Sequence, residues 1–92
     1  MQIRWTPAAA SDLADIGDFL SRRHSSYRQP TMNKLYGAIQ SLKDWPYRGR
    51  PGAQEGTQEL LFSPLPYIAV YRVRGQAIDV LHIYYAAREL EN

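Results

Sequence analysis

The sequence predicts an α+β fold of two layers in the order β-α-α-β-β-β, with a helical hairpin packed on a mostly antiparallel sheet. Three observations carry this. Residues 66–73 (Pro-Tyr-Ile-Ala-Val-Tyr-Arg-Val) are rich in β-branched and aromatic side chains, which suit a pleated, half-buried surface. Upstream, two segments carry apolar residues at helical spacing and are separated by a short turn. Around the 66–73 strand, two more strand-like runs are joined to it by tight turns, which makes an antiparallel meander.

The elements follow in order. Gln2–Trp5 reads as a short strand with Ile3 and Trp5 on one face. Thr6 can cap the first free N–H groups of a helix, and Pro7 at its first position loses no hydrogen bond. Ala9, Leu13, Ile16 and Leu20 form the buried stripe of that helix. Asp12 and Asp15 suit its N-terminal half, and the basic residues near 22–24 suit its end. Ser25-Ser26-Tyr27 reads as a turn. A second helix is expected from about Gln29 to Asp44, burying Met32, Leu35, Tyr36, Ile39 and Leu42, with Trp45 as an extension and Pro46 as the stop.

Residues 46–56 contain three glycines and two prolines, which predicts a loop without regular structure. No Gly-Lys-Ser or Gly-Lys-Thr follows, which argues against a phosphate-cradling loop. Residues 57–62 are a strand, 63–66 a turn, and 66–73 the central strand. That strand places Tyr67, Ala69, Tyr71 and Val73 on one face and Ile68, Val70 and Arg72 on the other. Being apolar on both faces, it belongs in the middle of the sheet, and Arg72 among apolar neighbours hints at a site. Arg74-Gly75-Gln76 turns the chain, with Gly75 free to take positive φ, into a last strand over residues 77–84. One sheet face is left open, the natural place for a site.

The chain of 92 residues is expected to form a single domain over residues 1–92. With no cysteine, it has no disulfide framework and no Cys-based metal site, and neither metal nor cofactor is expected. No apolar run is long enough for a membrane span or a signal peptide, so the expected location is the cytoplasm. The net charge is +2, but it is unevenly spread. Between residues 22 and 50, Arg22, Arg23, Arg28, Lys34, Lys43, Arg48 and Arg50 face the lone acid Asp44. This reads either as a solvated helix face or as a surface for an anionic partner, nucleic acid or acidic protein. Arg22, Arg23, Arg28, Arg48, Arg50 and Arg72 are the candidate binding residues.

Several stretches, in order, resemble one family. They are Trp5-Thr6-Pro7 with Asp12-Leu13 and Ile16, then Trp45-Pro46, Gly49-Arg50-Pro51-Gly52 and Gly56-Thr57-Gln58-Glu59-Leu60. The 66–73 strand and Ala87-Arg88 complete the set. Together they resemble the RelE/ParE toxins of type II toxin–antitoxin modules, over nearly the whole chain. The resemblance implies the strand–helix–helix–meander build and a toxin neutralised by a cognate antitoxin. It implies one of two targets: DNA gyrase, inhibited by direct binding in ParE-like members, or mRNA on the ribosome, cleaved by RelE-like members.

RNA cleavage needs a base for the 2′-hydroxyl, a donor for the leaving oxygen, and cations for the phosphate. RelE-like members typically carry an arginine after the tyrosine of the central strand; here it is Ile68. The preceding strand offers Gln58, Glu59, Leu60 and Leu61 in place of lysines, and the histidine position near the end of the last strand matches Tyr85. If the protein is a nuclease, the candidates are Arg88, Tyr85, Tyr84 and His82. His82 titrates nearest neutrality, whereas an unassisted tyrosine, with a pKa near 10, is a poor base. The missing arginine favours the ParE-like branch.

Overall fold

The computed structural model describes residues 1–86 of the chain. Two helices cover one face of a five-stranded mixed sheet, the expected α+β arrangement. The elements are β1 (Gln2–Trp5), α1 (Pro7–Arg23), α2 (Ser25–Gln40), a 3-10 turn (Ser41–Lys43), β2 (Arg50–Pro51), β3 (Gln58–Leu61), β4 (Tyr67–Arg74) and β5 (Ala77–Tyr85). The sheet order is β1-β5-β4-β3-β2, so β4 is central, as its two apolar faces require. β2 to β5 pair antiparallel; β1 joins the edge of β5 in parallel, Gln2 opposite Ala77 and Trp5 opposite Val80.

α1 starts as its sequence dictates. The Thr6 hydroxyl accepts from the Ala9 N–H at 3.2 Å, Pro7 occupies the first turn, and Arg22 and Arg23 close the last. The second helix departs from expectation. Ser25-Ser26-Tyr27 is not a turn but its first residues, and His24 alone, with φ −149° and ψ 59°, makes the connection. Pro30 has no N–H to donate one turn back, yet the helix continues through it. The helix also ends earlier, at Gln40, and tightens into the 3-10 turn. Trp45 is therefore no extension of the helix: it stands 66% exposed. Tyr36, expected in the core, is 53% exposed and lies flat on Trp5, ring centroids 6.5 Å apart and 5° from parallel.

The core between the layers is Ala9, Leu35, Ile39 and Leu42 from the helical side against Leu60, Ala69, Tyr71, Ile78, Val80 and Ile83 from the sheet. Facing partners alternate as the pleat requires until the β4–β5 register shifts between Val70/His82 and Tyr71/Val80. Leu81 is the extra residue of this bulge. It switches β5 so that Ile78 and Val80 before it, and Ile83 after it, all meet the helices. Gly75 takes φ +58° in the β4–β5 turn, as expected.

The loop predicted to lack regular structure contains β2. Arg50 and Pro51 lie opposite Glu59 and Gln58. Pro51 is tolerated because β2 is an edge strand. Gly49 permits the close approach: a Cβ there would sit 2.6 Å from the Glu59 carbonyl oxygen and 2.9 Å from the Tyr71 hydroxyl.

Candidate functional site

Two concavities meet at the second half of β5. β1 covers the edge of β5 only along Ala77–Val80, because the chain leaves the sheet at Thr6 to start α1. The Thr6 N–H and hydroxyl donate to the Val80 carbonyl at 3.1 and 2.8 Å, which fixes where α1 begins relative to β5. Two turns later the Asp12 carboxylate accepts the Ile83 N–H at 2.9 Å. Between α1 and this half of β5 lies a groove of about 710 Å³. Asp12, Asp15, Ile16 and Phe19 line one wall, and Tyr67, His82, Ile83, Tyr84 and Tyr85 the other.

The second concavity, of about 480 Å³, lies on the open sheet face. Its floor is Glu59, Val70, His82 and Tyr84; Thr6 and Ala8 bound one side, Ala53 and Gln54 the other. Here Arg50 meets the Glu59 carboxylate, with both Nε and a terminal nitrogen 2.9 Å from Oε1. The adjacent row, Leu61–Ile68–Tyr84, holds no cation, and Ile68 is 3% exposed.

The candidate catalytic residues divide between faces. His82 and Tyr84 share the open face, as the alternation with Ile83 predicts. His82 is mostly exposed, its Nδ1 3.4 Å from Asp12 Oδ2. Tyr85 shares the opposite face with Ile83 and meets Tyr67 edge to face at 5.9 Å. Tyr84 and Tyr85 thus stand on opposite faces of β5, yet both border the groove beside α1. Arg88, the fourth candidate, lies outside the described residues. Burial raises the Tyr67 hydroxyl above its ordinary pKa, and a charge on Tyr85 would raise it further, so Tyr67 stays protonated near neutrality.

The candidate binding arginines are spread over the fold. Arg22 and Arg23 close α1, where residues 21–30 are all exposed. Arg28 holds the hairpin together, its Nε donating to the Gly17 carbonyl at 3.3 Å. Arg48 donates to the Ser41 hydroxyl at 2.6 Å. Arg72 belongs to a separate cluster on the open face: Asp79, largely buried, accepts from Arg4 Nε at 2.7 Å and faces a terminal nitrogen of Arg72 at 3.9 Å. The Arg72 Nε is buried without a hydrogen-bond partner. The hydrogen bond from Arg4 holds the Asp79 carboxyl below the usual carboxylate value against the opposing effect of burial, and the charges of Arg4, Arg74 and Arg72 add to it. The hint read from Arg72 therefore resolves into an ion-pair cluster around Asp79.

Sequence reasoning missed Asp12 as the residue joining α1 to the β5 backbone, and Asp79 as the centre of three arginines. Asp12 was legible only as a helix residue, and its bond to Ile83, like the bond of Arg4 to Asp79, joins residues more than 65 positions apart in the chain. Among the described residues no group of three or more His, Asp or Glu could hold a metal ion, and no helix is long and apolar enough to cross a membrane.

A small sheet with a helical hairpin on one face and a hollow on the other is the build of the RelE/ParE toxins. A family model for the ParE toxin of type II toxin-antitoxin systems, parDE, matches residues 3–90. The chain belongs to this ParE/RelE family of type II toxin–antitoxin toxins, whose members have a cognate antitoxin as partner. It is 33% identical to Toxin RelE2 of Caulobacter vibrioides over 87 residues, which is 95% of this chain and 97% of that protein. It is 28% identical to the protein Y4kP of Sinorhizobium fredii over 88 residues, 96% of this chain and 91% of that one. A chain from the chromosomal ParDE TA system of P. aeruginosa superposes with a TM-score of 0.83 at 26% identity, covering 92% of this chain and 95% of that one.

Proposed function

We propose that this toxin is ParE-like and inhibits DNA gyrase by direct binding, without cleaving RNA. The observation that carries the reading is Ile68. It occupies the position where a RelE-like site places an arginine, is buried, and sits in a row with Leu61 and Tyr84. A phosphate in flight needs cations aimed at its developing charge. Among the described residues that line the hollow there is no lysine or arginine, and the Arg50 guanidinium beside it faces Glu59. The match to the ParE toxin description and the likeness to the ParDE chain support the same branch.

The alternative, a ribosome-dependent mRNA endonuclease, has one observation in its favour. His82 and Tyr84 share the open face, and Asp12 is close enough to orient the His82 ring. The 33% identity to a protein named RelE2 belongs with it. Variants that remove proton transfer separate the two. In a gyrase inhibitor, Tyr85→Phe, Tyr84→Phe and His82→Ala remain toxic when expressed without antitoxin. In a nuclease, Arg88→Ala abolishes cleavage, a loss on the order of 10²–10³ for one charged stabiliser. A folded but harmless Tyr85→Phe, together with mRNA cleavage by the parent, would overturn the gyrase reading.

The antitoxin, in this reading, lays an amphipathic helix over the outer side of the hairpin and the sheet edge. Phe19 and Tyr27, 42% and 63% exposed, are its apolar anchors, and Arg22 and Arg23 meet its acidic residues.

A further inference from the structure

We propose that Trp45 and Tyr47 form the target-docking surface of the toxin, two exposed aromatic side chains on a fixed backbone that seat in an apolar pocket of a partner protein. The proposal rests on the reading above, that toxicity runs through a protein target. Trp45 is 66% exposed and Tyr47 67%, the most exposed large apolar side chains among the described residues. Their backbone is nonetheless tightly fixed. The Trp45 N–H donates to the Ser41 carbonyl at 3.1 Å, and the Arg48 N–H donates to the Trp45 carbonyl at 3.2 Å. From below, the fully buried Tyr71 hydroxyl donates to the Pro46 carbonyl at 2.8 Å and accepts the Gly49 N–H at 3.0 Å. The short segment from 45 to 49 is thus held at both ends and from the core while its aromatic rings face solvent. Rigid, exposed Trp and Tyr side chains lose little conformational freedom on binding and are the residue types that dominate protein interfaces.

Charge decides what such a surface takes. Over residues 43–59 the cations Lys43, Arg48 and Arg50 are balanced by Asp44, Glu55 and Glu59. Arg50 already faces Glu59, and Arg48 already donates to Ser41. A nucleic acid would need cations for its phosphates beside the stacking rings. A segment whose charges balance and whose arginines Arg48 and Arg50 already have partners within the chain, carrying two aromatic anchors, fits a protein pocket, where the indole N–H and the phenol O–H find acceptors at the rim. Neither ring lines the α1–β5 groove or the open-face hollow, so the surface is free to act apart from both.

The test compares the parent with Trp45→Ser/Tyr47→Ser and with Trp45→Ala alone, both checked by circular dichroism and thermal melting. Three readouts are taken: growth inhibition on induction, inhibition of purified gyrase, and complex formation with the cognate antitoxin. The double variant is expected to weaken growth and gyrase inhibition by on the order of 10- to 100-fold, and Trp45→Ala by a smaller factor, while antitoxin affinity is unchanged. A folded double variant as toxic as the parent would overturn the proposal, as would equal losses in toxicity and antitoxin binding. A parent that leaves gyrase active would sink the gyrase reading instead, and the growth comparison would still decide the docking surface.

Discussion

Tyr71 shows how far a single residue could be read. Its place on the helix-facing side of the central strand follows from strand alternation, and it is fully buried there. What its hydroxyl does was not legible, because Pro46 and Gly49 reach it across more than 20 positions of chain. Burial raises its pKa above the ordinary value, although the Gly49 hydrogen bond and the charge of Arg48 pull it down. Tyr71→Phe removes both hydrogen bonds and leaves the part-buried Gly49 N–H and the Pro46 carbonyl without this partner. It should cost about 1–3 kcal/mol, with each kcal/mol lowering the melting temperature by roughly 4–8 °C in a domain of this size. Asp79 makes a second prediction at this scale. Its carboxyl is held below its unfolded value, so it contributes stability above the unfolded pKa of about 4, and the contribution is lost as pH falls through the folded value. In urea melts, the stability gap between the parent and Asp79→Asn should be full near pH 6 and close as pH drops below about 4. A gap independent of pH would remove the ion-pair account.

At the scale of elements, cores and caps were more legible than boundaries. Thr6-Pro7 fixed the start of α1 because the capping chemistry is local. The α1–α2 turn was misplaced because Ser25-Ser26 and Pro30 are turn residues by composition, whereas the chain is helical from Ser25 and its buried positions begin at Thr31. β2 was missed because Gly and Pro argue against a strand, while here they permit a tight edge pairing with β3. Gly49→Ala should test this. The new methyl would collide with the Glu59 carbonyl, and unfolding free energy should fall by about 1–3 kcal/mol. The hairpin carries the antitoxin prediction. Charge reversal at Arg22 and Arg23 should slow association with the antitoxin more than it speeds dissociation, most clearly at low salt. Association rates that do not change at low salt would remove the electrostatic part of that interface.

For the whole molecule, the layer order was legible because each element advertised its period. The parallel docking of β1 on β5, which sets where α1 starts and leaves the rest of β5 bordering a groove, came only with the structure. The alternation of His82 and Tyr84 against Ile83 and Tyr85 was legible from the strand period, but the groove that His82, Tyr84 and Tyr85 all border was not, because its other wall is α1. The central claim is that this family member acts by binding gyrase. Its most direct test adds the purified protein to a DNA gyrase supercoiling assay and, in parallel, to ribosomes translating a defined mRNA. The account predicts loss of supercoiling with the mRNA intact; cleaved mRNA with supercoiling undiminished would contradict it.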